Sequence, residues 1–290
     1  MNLQQRTLLT DTRFVRPEAI GLAAASRQRH NPLGASEKLL IIAADHSARG
    51  MLVVGSDPRA MQSRYDLLER LSVALANPRV DGVLATPDIV EDLLLLGALE
   101  GKLVFGSMNR GGLPGAVFEL DDRFTGYTTT SIVESGLDGG KMLMRINFDD
   151  AGTVSTLSAC ADAVTQLASA RKVAMVEPFL NVTAGSRSSN VLTSDAVIQS
   201  MAIASALGAT SAYTWLKIPV VDDMARVAEA STLPLVLLGG DQSDRPDEMY
   251  RSWQDALSLP GVRGLAVGRN LLYPRDDDVE GAVKTAASLL

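Results

Sequence analysis

The chain has 290 residues, 46% hydrophobic and 21% charged, with a formal net charge of -7. That acidity argues against a general nucleic-acid or membrane-surface binder, whose affinity comes from basic patches, so any anionic ligand must meet locally concentrated positive charge. A lone cysteine, Cys160, excludes an intramolecular disulfide and fits a reducing cytosol.

The N-terminal stretch "MNLQQRTLLTDTRF" lacks the apolar core of a signal peptide. No apolar run reaches the roughly 18 residues that span a bilayer, so the expectation is a soluble, cytoplasmic protein. Pro17–Arg27 reads as an added helix ahead of the first strand. Candidate strands then follow in order: "LLIIAA" (Leu39–Ala44), "GVLAT" (Gly82–Thr86), "KLVFG" (Lys102–Gly106) and "KMLMRI" (Lys141–Ile146). They continue with "KVAMVE" (Lys172–Glu177), "AYTWLK" (Ala212–Lys217), "PLVLL" (Pro234–Leu238) and "RGLAV" (Arg263–Val267). Between them lie helical patterns at Ser63–Ala76, Ile89–Leu99, Ser155–Ala170, Asp195–Leu207 and Asp247–Leu259. Cys160 sits in the fourth of these, "STLSACADAVTQLASA", where it reads as a small buried hydrophobe.

Strands buried on both faces appear as unbroken apolar runs, and regular alternation with helices implies a parallel sheet. Eight such runs predict an α/β fold, a (β/α)8 TIM barrel with an extra N-terminal helix closing its bottom. No linker divides the chain, so residues 1–290 read as one barrel domain, with 1–37 as an N-terminal extension and 38–290 as the barrel. A doubly wound open sheet is the alternative, disfavoured because no G-x-G-x-x-G follows the first strand.

In this barrel the site lies at the C-terminal ends of the strands. Those ends carry Asp45 and His46, Arg110, Arg145 with Asn147, Glu177, Lys217, Gly239–Gly240 and Gly268–Arg269. The glycines in "PLVLLGGDQS" and "RGLAVGRNLL" let backbone N–H groups approach an oxyanion where barrels commonly hold phosphate, although glycine also simply makes tight turns. Lys217 ends the apolar strand of "YTWLKIPVV", an expensive place for an ammonium. It reads as a snorkelling lysine, a salt-bridge partner or a nucleophilic amine. Lys141 and Arg145 are expected on neighbouring strands, and crowded cations in a poorly hydrated pocket favour a neutral amine that can attack a carbonyl. Glu177 either shuttles protons for that chemistry or only neutralises Lys217. Asp45 holds a substrate hydroxyl or a lysine. Arg110, in "FGSMNRGG", sits in an anion-binding loop or a solvated turn. With two histidines, His30 and His46, a zinc site is not expected, and magnesium on carboxylates stays open.

These segments resemble the class I, Schiff-base-forming aldolases of the tagatose-bisphosphate aldolase type and their deoxyribose-phosphate aldolase-like relatives. "GLDGGKMLMRINFDD" is similar to that group's fourth-strand motif, "AMVEP" to the fifth, "TWLKIPVV" to the sixth, and "LVLLGGDQS" and "GLAVGRN" to its phosphate-binding ends. "AADHSARGML" resembles more closely a barrel family found among inositol-catabolism genes. The resemblance implies a class I aldolase (a carbon–carbon lyase) with Lys217 as imine lysine, Glu177 as proton shuttle and Lys141 as a further catalytic lysine; the scarcity of histidine and cysteine and the lysine chemistry point to no metal or other cofactor. Asp45, from its strand-end position, is read as the catalytic group that orients or deprotonates the substrate hydroxyl, and the strand-end residues His46, Arg110 and Arg145 join Gly239, Gly240, Gly268 and Arg269 as the substrate and phosphate contacts. The implied reaction cleaves 6-phospho-5-dehydro-2-deoxygluconate into dihydroxyacetone phosphate and malonate semialdehyde. Departures from the tagatose-bisphosphate pattern are His46 for glutamine, Gly239 for serine and Asp241 for glycine; they bear on sugar specificity and a second phosphate. Another ketose phosphate (a tagatose, fructose or sulfo-sugar derivative) and a non-catalytic sugar-phosphate-binding barrel are the alternatives. The expected partner is a small phosphorylated sugar, with no nucleic acid or membrane; barrel helices also allow a homo-oligomer.

Overall fold

Eight parallel strands close on themselves in the computed structural model, which describes residues 1–29, 38–109, 112–185, 187–240 and 242–290. His30, Arg110 and Asp241, all singled out above, lie outside the described residues. The barrel strands are β1 (Leu39–Ala44), β2 (Gly82–Ala85), β3 (Leu103–Asn109), β4 (Gly139–Ile146), β5 (Val173–Ala184), β7 (Thr214–Pro219), β8 (Leu235–Leu238) and β9 (Val262–Val267). Each pairs in parallel with its neighbours, and β1–β9 and β4–β5 pairing closes the ring. This is the (β/α)8 barrel that the alternation of apolar runs predicts.

Side chains alternate across each strand, so two cores form. Leu39, Ile41, Ala43, Leu103, Phe105, Val173, Met175, Val236 and Ala266 fill the barrel interior, with Trp215 against them. Leu40, Ile42, Val104, Met142, Val176, Leu216 and Leu265 face outward beneath the helices. The sequence-expected helices are α3 (Arg64–Ala76), α4 (Pro87–Leu95), α6 (Gly152–Ser169), α7 (Ser194–Ser205) and α9 (Pro246–Leu257), with the short helices α5 (Thr129–Glu134) and α8 (Met224–Glu229) lying between them in the chain. Ser63 and Thr193 cap α3 and α7 by accepting backbone N–H bonds from Asp66 and Ala196. Buried Cys160 packs within α6, and burial pushes its thiol up to about 12, so it is a packing residue.

The N-terminal helix expected at Pro17–Arg27 is α2 (Glu18–Ser26), and a helix that composition did not announce, α1 (Leu3–Val15), precedes it. A capping box between Asn2 and Gln5 starts α1. Arg13 ties α1 to α4 through Asp92 and Glu91, each at 2.8 Å. Arg27 donates to the carbonyls of Lys102 at 2.6 Å and Gly136 at 3.1 Å, just ahead of β3 and β4, which holds α2 at the barrel bottom. The second unanticipated element is β6 (Arg187–Asn190), antiparallel to the overhanging end of β5. It forms a hairpin above the barrel mouth. Among the described residues, no helix is long and apolar enough to cross a membrane.

Candidate active site

The inner rows of five strands end in polar groups, which the alternation fixes. Row by row they are Leu39–Ile41–Ala43–Asp45, Leu103–Phe105–Ser107, Lys141–Leu143–Arg145, Val173–Met175–Glu177 and Trp215–Lys217. Lys217 Nζ donates to Glu177 Oε1 at 2.6 Å. Lys141 Nζ is paired with Glu177 Oε2 and lies 3.2 Å from Asp45 Oδ2, which also accepts from Ser107 Oγ at 3.1 Å. Asp45 and Lys141 are fully buried, and Lys217 and Glu177 nearly so. An isolated buried ion costs several kcal/mol, so such a cluster holds only because charges alternate along it. Glu177 bridges the two amines through its two oxygens.

A cavity of about 930 Å³ opens above, at the upper end of the range for small-molecule sites. Lys217 and Glu177 line it, whereas the fully buried Asp45 and Lys141 do not. Gly239, Gly240, Gly268 and Arg269 form one wall, and His46 and Arg145 contribute elsewhere. Gly240 turns the chain at a φ of 66°, open to the cavity. Gly268 is needed for close approach, since a Cβ there would fall 2.3 Å from the Ala43 carbonyl oxygen and 2.8 Å from His46 Cε1.

Arg145 is committed to a buried partner. Its Nε and Nη2 donate to both oxygens of Asp122 at 2.8 and 2.6 Å, and Asp122 is wholly buried. Asn147 does not line the cavity; it donates to Thr183 Oγ1 at 3.1 Å, bracing the β5–β6 hairpin.

A family model, Cgl0159-like, matches residues 37–287. The chain belongs to the Cgl0159-like family. Cgl0159 from Corynebacterium glutamicum is 52% identical, with a TM-score of 0.97 over 100% of this chain and 97% of that one. A Schiff-base-forming fructose-1,6-bisphosphate aldolase shares the fold at 17% identity and a TM-score of 0.67, covering 93% of this chain and 99% of that one. An archaeal fructose-1,6-bisphosphate aldolase, with its catalytic lysine bound to a carbinolamine, matches at 15% and 0.65, over 93% and 98%. A search of curated proteins finds no match.

This Cgl0159-like barrel brings the strand-end residues Lys217, Glu177 and Asp45 together with Lys141, which the family resemblance and not the strand-end rule singles out, and places the glycine turns of β8 and β9 side by side. The strand-end rule misses four residues. Ser107 would have been found by extending the Leu103–Phe105 alternation one step. Asn109 stitches a bulge where β3–β4 register shifts, donating to the Leu143 and Asp122 carbonyls and accepting from Leu143 N–H. Asp122 lies in a loop with no local signal. Asn270, in "GRN", clamps the two glycine loops: Nδ2 donates to Gly239 O at 2.7 Å, and Oδ1 accepts from Ser243 N–H at 3.0 Å.

Proposed function

We propose that this Cgl0159-like protein is a class I aldolase that cleaves a phosphorylated keto-sugar through a Schiff base on Lys217. The observation that carries the reading is the Lys217 amine on the cavity floor, 2.6 Å from a nearly buried carboxylate. A salt bridge alone needs no cavity, and phosphate binding needs neither group.

Attack of the neutral amine on the ketone gives a carbinolamine, and loss of water gives an iminium. Glu177, within reach of that amine, moves the protons for both steps. The iminium then takes up the electron pair of the breaking C–C bond as an enamine, while the hydroxyl on the departing carbon loses its proton and becomes the aldehyde. Protonation of the enamine and hydrolysis release the second product and regenerate Lys217. Asp45 and Lys141, buried outside the cavity lining, act through Glu177 by holding its charge and orientation. Gly239, Gly240, Gly268 and Arg269 bind the phosphate, on loops that Asn270 keeps in register. Within this class the reading extends to 6-phospho-5-dehydro-2-deoxygluconate as substrate, on the likeness of the "AADHSARGML" segment, with no metal taking part.

Borohydride added with dihydroxyacetone phosphate is expected to leave a mass adduct on the peptide containing Lys217. An adduct on Lys141 instead would move the nucleophile; no adduct at all would sink the reading. In the same assay series, Arg269→Ala should raise KM by roughly tenfold or more with kcat much less affected, the pattern of lost uniform binding. An unchanged KM would remove Arg269 from the phosphate site.

A further inference from the structure

The polar cluster does not end at Asp45. Ser107, whose Oγ lies 3.1 Å from Asp45 Oδ2, also lines a second cavity of about 320 Å³ at the ends of β1, β2 and β3. Ser47, Arg64, Thr86, Asp88 and Thr125 share that lining, and no described residue borders both cavities. A continuous hydrogen-bonded chain therefore runs from the main cavity to the second one: Lys217, Glu177, Lys141, Asp45, Ser107. Its measured links are 2.6 Å for Lys217–Glu177, 3.2 Å for Lys141–Asp45 and 3.1 Å for Ser107–Asp45, with Lys141 and Glu177 in direct contact.

We propose that the second cavity is a proton port, and that Ser107 is the relay residue connecting it to the imine lysine. The inference rests on the aldolase reading. Lys217 must lose a proton before it attacks and recover one when the imine hydrolyses. It lines the main cavity, so a bound ketose phosphate displaces the water that would otherwise carry that proton. The chain supplies a rear exit.

One proton enters and one leaves. Lys217 gives its proton to Glu177 Oε1. The Glu177 carboxyl turns over and passes that proton to Lys141, as Lys141 hands one of its own to Asp45 Oδ2. Asp45 releases it from that same oxygen to Ser107 Oγ, while the serine hydroxyl proton goes to water in the second cavity. Every member except Lys217 ends in its starting state. Reversal of the sequence returns the proton. The hydroxyl suits the last position because it donates and accepts at one atom.

The test times imine formation by borohydride quench after mixing with dihydroxyacetone phosphate, alongside the dissociation constant of that probe. Ser107→Ala should slow trapping about a hundredfold, the low end of what a positioned proton-transfer group contributes, with the dissociation constant unchanged. Ser107→Thr, which keeps the hydroxyl, should restore the rate. Thr125→Trp fills the second cavity from an exposed loop position without replacing any member of the chain, and should slow trapping too. Trapping at the wild-type rate in Thr125→Trp overturns the port, even if Ser107→Ala is slow, because Ser107 would then only position Asp45. A wild-type rate in Ser107→Ala overturns the relay outright. Absence of an adduct in the wild type is a different result: it brings down the aldolase reading, and the relay with it.

Discussion

Lys217→Arg is expected to reduce cleavage of the sugar phosphate to background, a loss of roughly a millionfold if it matches removal of a catalytic nucleophile elsewhere. The substitution keeps the positive charge beside Glu177, so the ion pair that holds the floor of the cavity survives. What it removes is a nitrogen that can become neutral. A guanidinium stays protonated under all working conditions and forms no imine. Turnover and borohydride trapping should vanish together, while circular dichroism and the affinity for inorganic phosphate stay near wild type. Residual turnover within tenfold of wild type would show that Lys217 serves as a counter-ion to Glu177 and not as the nucleophile.

Asp122→Leu is expected to produce a large loss of stability. Arg145 is 4% exposed and satisfied chiefly by the Asp122 carboxylate. Glu119 stands 4.0 Å away and contributes its backbone carbonyl. Stripping one partner from a buried pair typically costs about 3–5 kcal/mol, because the remaining charge stays desolvated. For a chain of this size, that corresponds to a fall in Tm on the order of 10 °C. The double variant Asp122→Leu/Arg145→Met should recover most of the loss, since no charge is then stranded. Thermal unfolding of the three variants decides the matter. If Asp122→Leu changes KM but leaves Tm within about 2 °C, Arg145 belongs to substrate recognition first and to the frame second.

The barrel was legible because its eight strands are buried on both faces and so appear as uninterrupted aliphatic runs. The rule that function sits at strand ends then located Lys217, Glu177, Asp45 and the glycine turns. Depth was not legible. Lys141 is level in register with Met175, below Glu177, and stays outside the cavity lining; nothing local to "GGKMLM" encodes that. The pairing of Arg145 with Asp122 joins residues 23 apart through an irregular loop. Such a loop carries no periodicity to read. The β6 strand escaped notice because "NVTAGSRSSN" is polar and lacks hydrophobic alternation; it is held by Asn181–Asn190 and Thr183–Ser188 side-chain bonds instead of a buried face. α1 was missed for a related reason: its exposed, polar surface hides a helix whose only sharp signal is the Asn2–Gln5 cap.

The alternating quartet beneath the mouth has a thermodynamic side as well. Apolar residues of similar volume in place of a buried ion pair are often neutral or stabilising, so Asp45, Lys141, Glu177 and Lys217 hold a polarity the barrel does not need in order to fold. On the aldolase reading, their dipoles and charges are already aimed before any substrate arrives, and little reorganisation is left for the reaction itself. An apolar barrel would then be the hardier and the inert one, and stability and reactivity would be drawn from the same four side chains.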